Sequence, residues 1–255
     1  MAEEMVIILT GASRGIGQAI SSFLLSQPHS HRLVVVARTH TALDQLHYQY
    51  PDRVEVLAGD LSDTSIAAKS VELAISRWGR LDSLIVNHGT LDPVKTVADA
   101  SVEDWKKGFD TNVFSAIALV QAALPYLRKT NGRIIFTSSG AAINAYQGWG
   151  CYGAGKAVLN HLALTLSIEA PDITTISVRP GVVDTEMQRE IRETHKSAMS
   201  EKDAAKFAGL KRDGGLLRPE QPGHVIARLA VGAGKELSGK FLNWDDASLE
   251  AFQEE

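Results

Sequence analysis

The chain of 255 residues has a single cysteine, Cys151. No internal disulfide is possible, no zinc site can be assembled from thiolates, and a reducing compartment is compatible with the sequence. Nowhere do 18 apolar residues run together, so a spanning helix is not expected. The start, Met1-Ala-Glu-Glu-Met5, lacks the basic and apolar stretches of a secretory signal. The cytoplasm is therefore the expected location. Neither sign of charge dominates, since 26 Lys and Arg stand against 30 Asp and Glu for a net charge of −4. With the basic residues dispersed, neither nucleic acid nor a membrane surface is the expected partner, and a small molecule is. No internal repeat occurs. His29, His31, His40 and His47 are scattered over predicted loops and surface without metal-site spacing, so no metal is expected.

Short apolar runs recur along the chain: Val6 to Leu9, Leu33 to Ala37, Val54 to Leu57, Leu81 to Val86, Arg133 to Phe136, Thr174 to Val178, and Lys240 to Leu242. Most are rich in β-branched residues or lie beside turn signals, as buried parallel strands are. Helical spacing fills the intervals: Gly15 to Ser26, Thr41 to Tyr50, Ser65 to Trp78, Ser101 to Lys129, Tyr152 to Ile168 and Pro222 to Val231. Such alternation predicts an α/β chain, a single domain with a doubly wound seven-stranded parallel sheet and helices on both faces. Ser101 through Asp104 reads as a capped helix start, and Asn131-Gly132 as a turn before the fifth strand. The stretch from Met187 to Leu217 is charged, helix-prone and weakly amphipathic. It is expected to cover the active site as a mobile insertion; the alternative is a solvated helical excursion.

Thr10-Gly-Ala-Ser-Arg-Gly-Ile-Gly17 follows the first strand and opens the first helix. In that context Gly11, Gly15 and Gly17 allow a tight turn and close approach of a pyrophosphate, whose charge suits a helix N-terminus. The nucleotide is readable at the end of the second strand. An NAD site places an acid there, yet none occurs from Arg32 to Leu43. Arg38 stands at that point beside Thr39, and Arg14 reaches the same region, so NADP(H) with its 2′-phosphate is the expected cofactor. Tyr152 and Lys156 are four residues apart, hence on one helix face, thirteen residues after Ser139. An ammonium beside a phenol is expected to lower the phenol pKa, making Tyr152 an acid or base.

Together these residues resemble the short-chain dehydrogenase/reductase family, and the resemblance covers essentially the whole chain. Thr10 to Gly17, with Ser13 and Ile16 inside it, is similar to the family's cofactor loop, and Asp60-Leu61 to the pair that holds adenine. Asn87-His88-Gly89 resembles its Asn-Ala-Gly motif, with His88 in place of the usual Ala. The stretch Arg179-Pro180-Gly181-Val182-Val183-Asp184-Thr185 resembles the turn that meets the nicotinamide carboxamide. The resemblance implies a Rossmann fold and a catalytic tetrad of Asn112, Ser139, Tyr152 and Lys156. It implies hydride transfer from the pro-S face, with Ser139 holding the carbonyl oxygen and Tyr152 delivering the proton. Lys156 would hold the nicotinamide ribose, while Asn112 would kink its helix and connect Lys156 to solvent through a water.

Within the family the chain is most similar to benzil reductase and sepiapterin reductase-like carbonyl reductases. That similarity implies a cytoplasmic NADPH-dependent reductase of ketones, α-diketones or pterin-like dicarbonyls, forming a homodimer or homotetramer. Tyr146, Trp149 and Met187, with Ser139 and Tyr152, would form the substrate site and suit a bulky or aromatic ketone; the first three could equally be packing residues. Two other functions stay open: an NADP-dependent secondary-alcohol or steroid dehydrogenase using the same residues, and a non-catalytic NADP-binding sensor.

Overall fold

The computed structural model describes residues 4–28 and 31–253. The first three residues and His29 lie outside them. Seven strands form one parallel sheet: β1 (Val6–Thr10), β2 (Arg32–Ala37), β3 (Val54–Ala58), β4 (Ser83–Val86), β5 (Arg133–Thr137), β6 (Thr174–Arg179) and β7 (Phe241–Asn243), in the order β3-β2-β1-β4-β5-β6-β7. All six pairings are parallel. From β1 the chain winds outward to β3, then returns to the other side of β1 as β4. That reversal is the switch point at which sheets of this kind leave a crevice at the strands' carboxyl ends.

Alternation within the strands decides which helices cover which face. Val6, Ile8, Val34, Val36, Ile134 and Phe136 point to one side, where they pack with α3 (Ser65–Trp78), α5 (Ser115–Thr130) and α6 (Gly150–Glu169). Ile7, Leu9, Leu33, Val35 and Ile135 point to the other, against α1 (Gly15–Ser26), α2 (His40–Gln49) and α9 (Glu220–Gly232). These central strands are buried on both faces, which is why they read as unbroken apolar runs.

The predicted helix from Ser101 to Lys129 is divided. An α-helix α4 (Val102–Phe109) passes into a π-helical turn at Asp110–Phe114 and then into α5. The kink expected at Asn112 is thus a wider turn rather than a break. Its start is capped as anticipated: Ser101 Oγ accepts from the Asp104 N–H at 3.1 Å, and an Asp104 carboxylate oxygen accepts from the Ser101 N–H at 3.0 Å. Asn131, left-handed with φ 49°, ends α5 before β5.

Between β6 and α9 the segment expected to be weakly amphipathic forms α7 (Glu186–Glu193) and α8 (Glu201–Arg212). Ile191, Met199 and Phe207 from this segment are buried against Leu91, Trp149 and Tyr152. A narrow apolar stripe, diluted by charged neighbours, seats it over the crevice. Lys211 Nζ also pairs with Asp184 at 2.7 Å and Lys206 Nζ donates to the Tyr146 hydroxyl at 3.2 Å.

Candidate active site

A cavity of about 1080 Å³ opens at the carboxyl ends of the strands. Gly11, Ser13, Arg14, Gly15 and Ile16 form its floor beside β1; Arg38 and Thr39 line it beyond β2, and Asp60 and Leu61 beyond β3. Gly11 has φ +66°, a left-handed conformation open to glycine. Gly17 lies just behind: a methyl group there would stand 2.0 Å from the Gly11 carbonyl oxygen, so only glycine lets α1 approach the loop this closely. Arg14 stands at the N-cap of α1 and makes no side-chain cap, which leaves the first-turn N–H groups for a ligand. An ungated helix start behind a glycine loop fits a dinucleotide pyrophosphate. Asp60 is held below the usual carboxylate range, chiefly by the Ser62 N–H and hydroxyl, with a smaller contribution from the Arg38 charge. It is therefore an anionic acceptor at neutral pH.

Asn87 fastens the floor to the centre of the sheet. Its Nδ2 donates to the Thr10 and Gly11 carbonyls, both at 3.3 Å, and its Oδ1 accepts from Thr137 Oγ1 at 3.1 Å. Gly89 faces Lys156, whose Nζ would lie 3.4 Å from a methyl placed on that glycine. Asn112 does not line the cavity. It is 2% exposed, and its amide is used twice on Thr90, accepting from the N–H and donating to the carbonyl, each at 2.8 Å. Its side chain therefore fixes the loop after β4 rather than facing a ligand.

Tyr152, Lys156 and Ser139 meet in the cavity wall, on α6 and at the end of β5. Tyr152 is 7% exposed and hydrogen-bonds with Ser139; Ser139 Oγ also accepts from the Ala141 N–H at 3.1 Å. Lys156 Nζ donates to the Thr137 carbonyl at 2.7 Å and sits 5.8 Å from the Tyr152 ring centre. The expected lowering of the Tyr152 pKa does not occur. Burial raises it, and only the Ser139 hydrogen bond acts in the other direction. The same burial brings Lys156 down to about 8, so the ammonium that was to favour phenolate is itself only modestly held.

Pro180, Gly181, Val183 and Thr185 follow β6 along the same wall. Beyond them Tyr146, Trp149, Met187, Ile191 and Phe207 close the far end. Trp149 stacks on Phe207 with ring centres 5.4 Å apart and meets Tyr152 edge-on at 6.0 Å. The residues expected to bind cofactor or substrate thus share one cavity, apart from Gly17 behind its floor. Thr90, Leu91 and Pro93, expected to line the cleft after the fourth strand, do so, whereas sequence reasoning left out Phe207 and assigned His88 no role. Cys151 is buried and lies against the Trp105 carbonyl, where it packs. His31, expected on a loop or surface segment, lies in the loop before β2 but is buried and accepts from the Met5 N–H at 3.3 Å. His40 pairs with Asp44 and His47 with the Val54 carbonyl.

A parallel sheet with this strand order, a glycine loop at its switch point and a Tyr, Lys and Ser in one crevice defines a nucleotide-dependent oxidoreductase. The profile of the family described as short chain dehydrogenase matches residues 5–196, and the chain belongs to that family. It is 41% identical over 249 residues to an uncharacterized oxidoreductase of Saccharomyces cerevisiae, covering 97% of this chain and 98% of the relative. A second relative from the same yeast, benzil reductase ((S)-benzoin forming), is 36% identical, with 96% of this chain and 97% of the relative covered. The crystal structure of a short chain dehydrogenase/reductase from Saccharomyces cerevisiae superposes with a TM-score of 0.96 at 40% identity, covering 98% of this chain and 100% of the other. The family uses a nicotinamide dinucleotide, NAD or NADP.

Proposed function

We propose that the chain is an NADPH-dependent carbonyl reductase that converts a ketone or α-diketone to a secondary alcohol. The observation that carries the reading is that Tyr152, Ser139 and Lys156 line the same cavity as the glycine loop. Arg38, Thr39 and Arg14 stand exposed at its nucleotide end with no acid between Arg32 and Leu43, which favours a 2′-phosphate. The aromatic wall of Tyr146, Trp149 and Phe207 supports an aryl substrate, as does the similarity to a benzil reductase.

A bound nicotinamide supplies hydride when reduced. The chain's part is to place the carbonyl oxygen between the Ser139 and Tyr152 hydroxyls. Burial keeps the Tyr152 phenol protonated, which suits it to donate to an oxygen acquiring negative charge. Ser139 then stabilises the phenolate, and Lys156, at about 8, can return a proton to it. The aromatic residues exclude water from the far end.

In the same proposal the protein is cytoplasmic, in keeping with its one free, buried thiol, and it assembles as a homo-oligomer. Phe114 beside α5, and Leu164 and Ile168 on α6, leave apolar surface exposed that a second copy would cover. The test is consumption of NADPH and NADH with benzil, 1-phenyl-1,2-propanedione and a simple aryl ketone. Faster diketone turnover with NADPH is the expected result. Equal rates with NADH would overturn the cofactor assignment, and turnover of alcohols alone would overturn the direction.

A further inference from the structure

We propose that His88 is a positioning residue for this reduction: its imidazole spans from Thr10 at the end of β1 to Thr111 on the π-helical turn and Ser115 at the start of α5, and thereby sets where Asn112 stands behind Gly89 and Lys156. The proposal rests on the carbonyl-reductase reading for its kinetic arm and on geometry alone for its structural arm. Three contacts define the span. His88 Nδ1 lies 2.8 Å from Thr10 Oγ1, and Nε2 lies 2.8 Å from Ser115 Oγ and 3.1 Å from the Thr111 carbonyl.

The acceptors around the ring assign its proton. Ser115 Oγ donates to the Thr111 carbonyl at 2.5 Å, so that hydroxyl has a lone pair left to accept. A proton on Nε2 is shared between Ser115 Oγ and the Thr111 carbonyl, and Nδ1 accepts from the Thr10 hydroxyl, which lies closer to it at 2.8 Å than to its other acceptor, the Ile85 carbonyl, at 3.2 Å. The opposite tautomer would set the Nε2 lone pair against a carbonyl oxygen. Burial, reinforced by the Lys156 charge, holds the His88 pKa at about 3, so the ring is neutral throughout the working range.

The placement is what links this network to the reaction. His88 and Thr90 flank Gly89, and each is tied to the π-helical turn. Thr90 holds the Asn112 side chain, while His88 holds residues 111 and 115 on either side of it. Between the two ties, the Cβ position of Gly89 lies 3.2 Å from Asn112 Oδ1 and 3.4 Å from Lys156 Nζ. An alanine at 88, the residue usual in the resemblance drawn above, has no polar atom for either end of the span.

The experiment compares His88→Ala, His88→Gln and Ser115→Ala, together with the Ala/Ala double variant. A Gln amide can place a donor near the Nε2 site, so it tests the Ser115 end specifically. At saturating NADPH and diketone, kcat should fall roughly 10- to 100-fold in His88→Ala, with KM for the diketone changed less than about twofold, and His88→Gln should recover most of the loss. The double variant should be no slower than His88→Ala, because both substitutions break one connection. Independently of turnover, amide exchange at Thr90, whose N–H is held by Asn112, should quicken about tenfold in His88→Ala while Ile8 in β1 keeps its protection. Unchanged Thr90 exchange, or equal loss at Ile8, would overturn the proposal whether or not a substrate is turned over. Additive effects of the two alanines, or a Gln variant as slow as Ala, would overturn it through kinetics. If the wild type reduces no carbonyl, only the proposed function fails, and the exchange result still decides the role of His88.

Discussion

Replacing Lys156 with Met should stabilise the cofactor-free protein at neutral pH while abolishing turnover. Lys156 is 3% exposed and, among the described residues, its ammonium has one hydrogen-bond partner, the Thr137 carbonyl, and no carboxylate. Its pKa falls from 10.5 to about 8 because burial disfavours the charged form. That gap, at 1.36 kcal/mol for each pH unit, corresponds to roughly 3 kcal/mol of native-state penalty. Met has similar length and no charge, but leaves the Thr137 carbonyl without its donor, which costs about 1 kcal/mol.

The net gain at pH 7 is therefore about 2 kcal/mol. Below pH 8 both native and unfolded chains carry the proton, and the penalty is complete. Between about 8 and 10.5 the native state releases its proton while the unfolded chain keeps it, so wild-type stability rises with pH relative to the variant. The advantage of Lys156→Met should shrink across that window and reverse near its top. Urea unfolding of both proteins without cofactor at pH 7, 8, 9 and 10 measures this directly. A variant less stable at every pH, or a difference independent of pH, would refute the reasoning.

Gly17→Ala should lose dinucleotide affinity and about 1–3 kcal/mol of stability, because its methyl would meet the Gly11 carbonyl at 2.0 Å; isothermal titration with NADP and thermal melting report the two effects. Arg38→Leu should raise KM for NADPH about 10- to 100-fold, the worth of a charge-assisted hydrogen bond, and leave KM for NADH nearly unchanged. Phe207→Ala should open the wall that Trp149 and Tyr146 share with it, cost roughly 3–5 kcal/mol if the cavity does not collapse, and raise KM for an aryl diketone more than for a small ketone.

The strands were legible because a strand buried on both faces is an apolar run in any sequence, and their boundaries moved by only a residue or two. The candidate site was legible because its motifs are local: a glycine loop between a strand and a helix, and a Tyr and Lys one helical turn apart. What escaped was set by distance along the chain. The π-helical turn depends on contacts of Thr111 and Ser115 with His88, and of Asn112 with Thr90, more than 20 residues away. The direction of the Tyr152 shift depends on burial by Trp149 and its neighbours, which helical spacing cannot report. His31 lies in the loop expected for it, but its burial comes from a contact with Met5 ahead of β1, 26 residues away, which its local sequence does not report. In α7 and α8 a few apolar residues seat two charged helices, a signal too sparse for periodicity alone.

The most direct measurement is Tyr152→Phe assayed for both turnover and binding. The phenol's hydroxyl is the proposed proton donor, and the ring's packing against Trp149 survives the change. Carbonyl reduction should fall about 10²- to 10⁴-fold, with NADPH affinity by fluorescence within a few-fold of wild type. Turnover that persists with binding intact would contradict the account, since the proton would then reach the substrate oxygen from another group.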